Sequence, residues 1–428
     1  MTVKGNASHA IYAKEYIEMS NCNLSLTGAV KDGMNCNQYF TMKSGSLTID
    51  NVGDDGIQVA YKDETDREAE DTGAITIKGG ILNVKVAAAA AKGVKCEGSM
   101  TITGGDITAS VSGHGIWDSA KNKTKASACL ASDTDITIDG GTLSLTATGG
   151  GGKGINCDGV FMMNSGSVSI STTGGIVAYV NGVLSTNYTG NTDRIASDMK
   201  SSPKGIKADS DVVINGGDIN ITTTGNGGEG IESKSQLTIN NGNIVIIAKD
   251  DAINSSSHMY IKGGNITAIS TSNDGLDSNG NLYIESGYIM TFGAKSPECG
   301  LDANDEEGYS VVFTGVTLLA VGGGNSTPSA SSGSTQPYVS ASSTVSANTS
   351  ISLKDTSGNE LATFTVPSNY SPSSAGMGGD PGGSSNRSSV LVTCAGLTDG
   401  SQYTLTTGTT NISVTARTTG SSGGGWGH

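Results

Sequence analysis

The sequence predicts an all-β chain: a right-handed parallel β-helix of about eleven rungs, closed by a small C-terminal β capping unit. Three observations lead there. Residues 229–287 read EGIESKSQLTINNGNIVIIAKD, DAINSSSHMYIKGGNITAISTSN and DGLDSNGNLYIESG, and setting Gly230, Ala252 and Gly275 in register also aligns Gly242, Gly264 and Gly287. Around the second glycine, Leu237, Ile239, Ile244 and Ile246 in one copy and Met259, Ile261, Ile266 and Ala268 in the next alternate with Thr, Asn, Ser, Tyr or Lys. That is the two-residue period of a half-buried strand, not the 3.6-residue period of a helix. The repeat of 22 or 23 residues is too short for a strand–helix–strand crossover and suits one coil of a parallel solenoid. Each rung is therefore two short strands meeting at a glycine bend, with room for a third. The right hand follows from the handedness rule for parallel crossovers.

Composition agrees. Among 428 residues there are 63 glycines, with aromatics at 5% and charged residues at 15%. Ordinary globular cores need more large side chains, whereas a solenoid buries its apolar face rung on rung. A net charge of -15 without a Lys/Arg cluster argues against nucleic acid and anionic membrane surfaces as partners. No apolar run approaches the ~20 residues of a membrane span. No signal peptide is legible at the start, which already lies in a repeat-like segment, so export is expected to depend on a targeting segment outside this sequence.

Taken in order, Ala10, Gly33, Gly56, Gly93, Gly115, Gly154, Gly205, Gly230, Ala252, Gly275 and Gly300 mark the rungs. Cys22, Gly45, Gly80, Gly105, Gly141, Gly166, Gly217, Gly242, Gly264, Gly287 and Gly315 mark the bend in each. Most pairs are 12 residues apart, but Gly56 to Gly80 spans 24 and Gly115 to Gly141 spans 26. These steps predict two insertions on one arc, an acidic one from Tyr61 to Asp71 and a basic one from Trp117 to Leu130. A third, between Gly166 and Gly205, leaves a neighbouring corner and carries Tyr179 and Tyr188. Insertions in repeat arrays gather on the working face, so the three are expected to wall a groove near the middle.

Seven cysteines cannot all pair with one another. Cys36, Cys96 and Cys157 fall in a column of small residues that elsewhere holds Ala13, Ala208, Ser233, Ser255, Ser278 and Ala303. With rungs ~4.8 Å apart, thiols two rungs apart are beyond disulfide reach, and buried free thiols are expected.

The helix is expected to occupy residues 1–324, and residues 325–428 to form a linker and the cap. Asn325 to Ser346 reads as a linker; SISLKD, LATFTV, SVLVTC, QYTLTT and NISVTA are five strand candidates that would cover the open end. Residues 371–389 and the tail GSSGGGWGH have the composition of disorder.

Two surface columns flank the rung glycine. One residue before it stand Asp32, Asp55, Lys92, His114, Lys153, Lys204, Glu229, Asp251 and Asp274; two after it stand Lys95, Trp117, Lys207, Glu232, Asp277 and Asp302. Carboxylates occupy both ends and lysines the middle. Carboxylates ~4.8 Å apart repel unless neutralised, and calcium, which takes six to eight oxygens, suits the set Glu229, Glu232, Asp251, Asp274, Asp277 and Asp302, with a second set at Asp32, Asp54 and Asp55. The alternative is an Asp-Gly turn with solvated carboxylates. A row of ammonium groups, Lys92, Lys95, Lys153, Lys204 and Lys207, suits a polymer with a carboxylate on each sugar. In a β-elimination lyase, Lys153 or Lys204 with a depressed pKa would be the base. The same lysines could instead relieve like-charge repulsion and discourage edge pairing. Trp117, Tyr61, Tyr179 and Tyr188 offer faces for sugars, or pack their own loops. Scattered histidines leave no zinc pattern, and no Walker or GxSxG motif occurs.

The run SPKGIKADSDVVINGGDINITTTGNGGEGIESKSQLTINNGNIVIIAKDDAINSS, with NDGLDSNGNLYIESG and SLKDTSGNELATFTVPSNY, resembles the bacterial carbohydrate-binding domain-containing β-helix family. The resemblance implies a pectate-lyase-like fold, secretion or surface attachment, calcium, and binding of cellulose or acidic plant polysaccharides. Its acidic turn motif falls on Glu229, Glu232, Asp250, Asp251, Asp274 and Asp277. The expectation is a secreted, calcium-stabilised, non-catalytic polysaccharide binder whose ligand contacts come from Lys92, Lys95, Trp117, Lys153, Tyr179, Lys204 and Lys207. The alternatives are a calcium-dependent polyuronate lyase and a surface adhesin that binds a protein.

Overall fold

The computed structural model describes residues 1–62, 65, 67–372 and 387–420. Most of the stretch 371–389 and the tail after Gly420, both expected to be disordered, lie outside the described residues. The chain is all-β with long parallel sheets, and no α-helix occurs among the described residues. It divides into two compact units, Met1–Gln236 with Val245–Asp250, and Leu237–Ile244 with Asp251–His428.

In the first unit each circuit of the chain lays one strand on each of three parallel sheets. Lys92–Cys96, Met100–Ile102 and Asp106–Val111 make one circuit; Ala128–Ser132, Ile136–Ile138 and Thr142–Ala147 make the next. We call these faces 1, 2 and 3. Stacking is in register: Val94 pairs with Leu130, Met100 with Ile136 and Ile107 with Leu143. The third strand per repeat that the sequence left room for is thus face 1. Alternation decides which side of each strand turns inward, and Val94, Met100, Ile102, Ile107, Ala109 and Val111 are buried while the residues between them face out. Each fully buried aliphatic contributes roughly 1.5–3 kcal/mol of transfer free energy.

The two landmark glycines have different reasons. Gly105, at the bend between faces 2 and 3, has φ +100°, a left-handed conformation that costs L-residues strain. Gly154, on face 1, points inward; a Cβ there would run into Ile170 and lie 2.6 Å from the Gly205 carbonyl oxygen. Ile170, from face 3, fills the space that glycine leaves.

The fifth circuit departs from the expected one. Gly115 does not begin a face 1 strand; Ala128–Ser132 does, with Ala128 beside Lys92 and Lys153, and Ala131 beside Lys95 and Asn156. Cys129 takes the glycine's place, its small thiol reaching the Ala109 and Thr146 carbonyl oxygens at 3.4 and 3.3 Å. His114 and Trp117 are therefore outside the columns. The basic insertion precedes its face 1 strand instead of following it. It shares the corner between faces 3 and 1 with the third insertion, while the acidic insertion leaves alone between faces 1 and 2.

The second unit repeats the pattern. Ile253–Ser255, Met259–Ile261 and Asn265–Ser270 are followed by Leu276–Ser278, Leu282–Ile284 and Tyr288–Phe292, and these by Leu301–Ala303, Val311–Phe313 and Thr317–Gly322. On face 3, Ser388–Thr393 then pairs antiparallel with Thr317–Gly322, and Tyr338–Ser343 pairs antiparallel with Ser388–Thr393. Glu360–Thr365, Ser350–Lys354, Gln402–Thr407 and Thr410–Thr415 form a separate four-stranded antiparallel sheet in that order. Four of the five C-terminal candidates thus make the small sheet, and SVLVTC joins the long one. Residues 325–346, expected as linker, contain the strand Tyr338–Ser343.

All seven cysteines are free, and Cys36, Cys96 and Cys157 are buried.

Candidate functional site

Strand register in the first unit sets Lys92, Ala128, Lys153, Lys204 and Glu229 in one column, and Lys95, Ala131, Asn156, Lys207 and Glu232 in another. The ammonium groups largely turn back onto the chain. Lys92 Nζ donates to the Ala90 and Ala126 carbonyl oxygens, each at 2.6 Å. Lys153 Nζ donates to the Gly151 carbonyl at 3.1 Å and to Ser201 Oγ at 2.7 Å. Lys204 is paired with Glu229 and lies 3.3 Å from Glu232 Oε1, which Lys234 meets at 2.5 Å. Lys207 pairs with Asp209, and Lys95 is half-buried.

These surroundings decide the charges. Burial lowers Lys92 to about 8 and, with Lys207 and Lys204 nearby, Lys153 to about 7. Burial also opposes the charge on Lys204, but Glu229 and Glu232 outweigh it and hold the ammonium above its ordinary range. Burial likewise opposes the charge on Glu232, and Lys204 with Lys234 brings it down to about 2.

Two of the three insertions meet. Ile116–Asp118 and Lys123–Lys125 form a hairpin, and Ile176–Val180 is flanked antiparallel by Val183–Tyr188 and Lys200–Ser201. The hairpin strand Lys123–Lys125 packs beside Ile176–Val180 and Lys200–Ser201. Trp117 and Tyr179 stack across the junction, with centroids 4.2 Å apart and planes at 6°. Lys121 and Lys123 are exposed around it, Lys125 is paired with Asp118, and Lys200 Nζ donates to the Thr192 carbonyl oxygen at 2.9 Å. The acidic insertion is held elsewhere: the Arg67 guanidinium lies 4.3 Å from the Tyr61 ring centroid, and Lys62 Nζ is 2.6 Å from Glu15, 3.6 Å from Asp71 and 3.8 Å from Glu68. The expected groove walled by all three insertions is therefore a junction of two, because the register of the fifth circuit puts the basic insertion on the other corner.

Asp32, Asp55, Asp251 and Asp274, all of one column, share a local motif in which the side chain accepts a backbone amide from the next circuit. Asp32 Oδ1 accepts from Asp55 N at 3.1 Å, and Asp55 Oδ1 from Lys92 N at 2.6 Å. In the second unit Asp251 Oδ1 accepts from Asp274 N at 3.1 Å, and Asp274 Oδ1 from Cys299 N. Asn254 Nδ2 bridges Asp251 and Asp277 at 3.1 Å each, and Ser326 Oγ donates to Asp302 at 3.3 Å. Burial pushes Asp55 up to about 6. Burial, with Asp302, Glu298 and Asp277 adding their charges, pushes Asp274 up to about 8.

As holders of a cation the sets differ. Asp32, Asp54 and Asp55 bring carboxylate oxygens within 4.8 Å of one another, with Asn35 Nδ2 and His9 Nδ1 at 2.7 and 3.0 Å from Asp32 Oδ2. Three converging oxygens, two from buried carboxylates, fit a calcium ion. Glu229, Glu232 and the nearby Asp250 already have the Lys204 ammonium among them, so a cation there would have to displace it, and that set does not fit.

One cluster went unread in the sequence. On face 2 of the second unit, Tyr260 pairs in register with Tyr283, and their rings stack 4.8 Å apart at 7°. His258 stands edge-on to both at 6.3 and 6.1 Å and to Tyr309 at 5.7 Å, and Lys262 Nζ lies 5.7 Å from the Tyr260 centroid. The signal was available: Thr41, Thr76, Thr101 and Thr137 hold the matching outward position in the first unit, and Thr238 holds it one circuit before Tyr260.

A sequence profile of the family described as "Carbohydrate-binding domain-containing protein" matches residues 1–175 and 221–419. Comparison with curated proteins and with solved structures gives no match.

Proposed function

Since the chain belongs to this carbohydrate-binding domain-containing family, we propose that it is a bacterial, secreted or surface-held polysaccharide binder without catalytic activity, on a right-handed parallel β-helix of pectate-lyase type. The observation that carries the reading is the junction of two insertions at one corner, where Trp117 and Tyr179 stack amid Lys121, Lys123, Lys125 and Lys200. Aromatic faces take the C–H side of sugar rings, and the exposed ammonium groups of Lys121 and Lys123 at this corner favour a ligand that carries carboxylates. An acidic polysaccharide is the ligand class that matches both. Of the lysine columns, Lys95 and Lys207 are half-buried on face 1, Lys92 and Lys153 donate to the chain of this corner, and Lys204 is held by Glu229 and Glu232.

Calcium is part of the proposal, with Asp32, Asp54 and Asp55 as the residues that would hold it. The ion would neutralise neighbouring carboxylates and tie successive turns together. Asp251, Asp274, Asp277 and Asp302 are the second acidic corner where a cation would relieve repulsion.

The reading without catalysis is favoured over a polyuronate lyase by the two candidate bases. Lys204 keeps its proton between two glutamates, and Lys153, although lowered to about 7, is 9% exposed with its Nζ engaged by Gly151 and Ser201. Affinity electrophoresis in polygalacturonate, run with calcium and with chelator, tests the proposal. Retardation of the wild type is expected, lost about tenfold or more in affinity for Trp117→Ala with Tyr179→Ala, which corresponds to ~1.4 kcal/mol. Products absorbing in the ultraviolet would replace binding by the lyase reading, and silence on a glycan array with capture on a protein array would replace it by the adhesin.

A further inference from the structure

We infer that face 2 of the second unit carries a separate binding surface for a neutral glycan chain, built on Tyr260 and Tyr283 and rimmed by His258, Asn281, Lys262 and Tyr309. The inference rests on the carbohydrate-binding reading and adds to it a second place and a second ligand class.

The two tyrosines are not there for the core. Their strands, Met259–Ile261 and Leu282–Ile284, bury the outer two residues and leave the middle one half-exposed. Elsewhere that outward position holds Thr41, Thr76, Thr101, Thr137 and Thr238, with Glu18, Met162, Val213 and Val312 in the remaining circuits, so the sheet forms without an aromatic there and two consecutive tyrosines exceed what it requires. Ring planes 7° apart with centroids at 4.8 Å match the ~4.8 Å spacing of neighbouring strands. The rings thus form a two-step aromatic ladder on the outer side of the sheet, where both side chains are half-exposed. Tyr309 is 38% exposed.

The polar rim is fixed in advance. His258 Nδ1 accepts the Asn281 amide at 2.9 Å, so Nε2 is the nitrogen that carries hydrogen and can donate outward. Glycine at 280 makes room for this ring, because a Cβ there would lie 2.5 Å from His258 Nδ1. The Asn281 side chain is locked from both ends: Oδ1 accepts from Ser310 N at 2.8 Å, and Nδ2 donates to Tyr283 Oη at 3.0 Å. The Tyr283 hydroxyl hydrogen is then directed away from Asn281 as a donor. Fixed donors around an aromatic surface lose little freedom on binding. Lys262 is matched by Glu285 one circuit on, at the same position of the repeat. The rim is thus close to electrically balanced, which suits sugar hydroxyls and does not favour a polyanion.

The test uses the full chain and two doubly substituted variants, Tyr260→Thr with Tyr283→Thr and Trp117→Ala with Tyr179→Ala. The first installs threonine, the residue found most often at this position of the repeat, so folding is expected to survive, and circular dichroism melting checks it. Calorimetric titrations use neutral hexasaccharides of glucose, xylose and mannose, and polygalacturonate. The wild type is expected to bind at least one neutral hexasaccharide, with affinity lower by tenfold or more in the tyrosine-to-threonine variant and polygalacturonate binding unchanged. The other variant is expected to behave the opposite way. Neutral binding that is absent in the wild type, or unchanged in the folded threonine variant, overturns this inference and leaves the acidic-polysaccharide reading standing. Loss of all glycan binding by the wild type overturns the reading on which it rests.

Discussion

Lys153 and Lys204 are neighbours in strand register, yet their surroundings send their charges in opposite directions. Lys204 has two carboxylates and keeps its proton, whereas Lys153 has a carbonyl and a hydroxyl and is lowered to about 7. The consequence for stability can be signed. Between about pH 7 and the ordinary lysine value of 10.5, the unfolded chain holds a proton that the folded chain lacks. Folding stability contributed by this site therefore rises with pH across that window and falls as pH drops toward 7, by at most ~1.4 kcal/mol per pH unit. Urea midpoints at pH 7, 8, 9 and 10 should show the wild type gaining on Lys153→Met as pH rises, and a gap that stays constant would refute the assignment. The lysine columns were legible because register alone determines them. The destinations of their ammonium groups were not, because Ala90, Ala126, Gly151 and Ser201 come from corners whose paths the repeat does not encode. Tyr260 and Tyr283 were legible in principle and passed over, since tyrosine also fits the alternation of an ordinary strand.

The strand–bend–strand element was read correctly wherever its glycine survives. Gly264 has φ +98°, and a Cβ there would lie 2.9 Å from the Gly242 carbonyl oxygen. Strain and close approach act together, so Gly264→Ala should lower stability by roughly 1–3 kcal/mol, measured as a shift in urea midpoint at unchanged slope. No loss would mean that the bend tolerates a side chain. The fifth circuit keeps its bend glycine, Gly141, at φ +91°, and was misread on face 1 instead: Cys129 replaces the glycine there, while Gly115-Ile-Trp-Asp imitates the start of a rung. Tyr338–Ser343 escaped notice because its pairing with Ser388–Thr393 spans a long stretch of chain, and nothing local in YVSASS marks it as a strand.

At the scale of the molecule, composition and period led to an all-β chain with parallel sheets, and the insertion lengths were legible without the sides on which they emerge. The acidic columns lead to a prediction at this scale. Millimolar calcium should raise the melting temperature by several degrees over chelator, and Asp54→Ala, at an exposed position beside buried Asp32 and Asp55, should abolish the shift. An equal shift in both proteins would move the ion away from this cluster. The corner shared by the two packed insertions has one more consequence. Ser167–Thr172 stacks on Asp218–Thr223, and Lys153–Cys157 on Lys204–Ala208, without slippage, although the chain leaves for some thirty residues between Thr172 and Lys204. The strands on either side are fixed by their own ladders, and closing a longer excursion adds little further entropy. The corner is a modular seam, at which a foreign recognition segment could be grafted, or the native one shortened, without re-registering the stack.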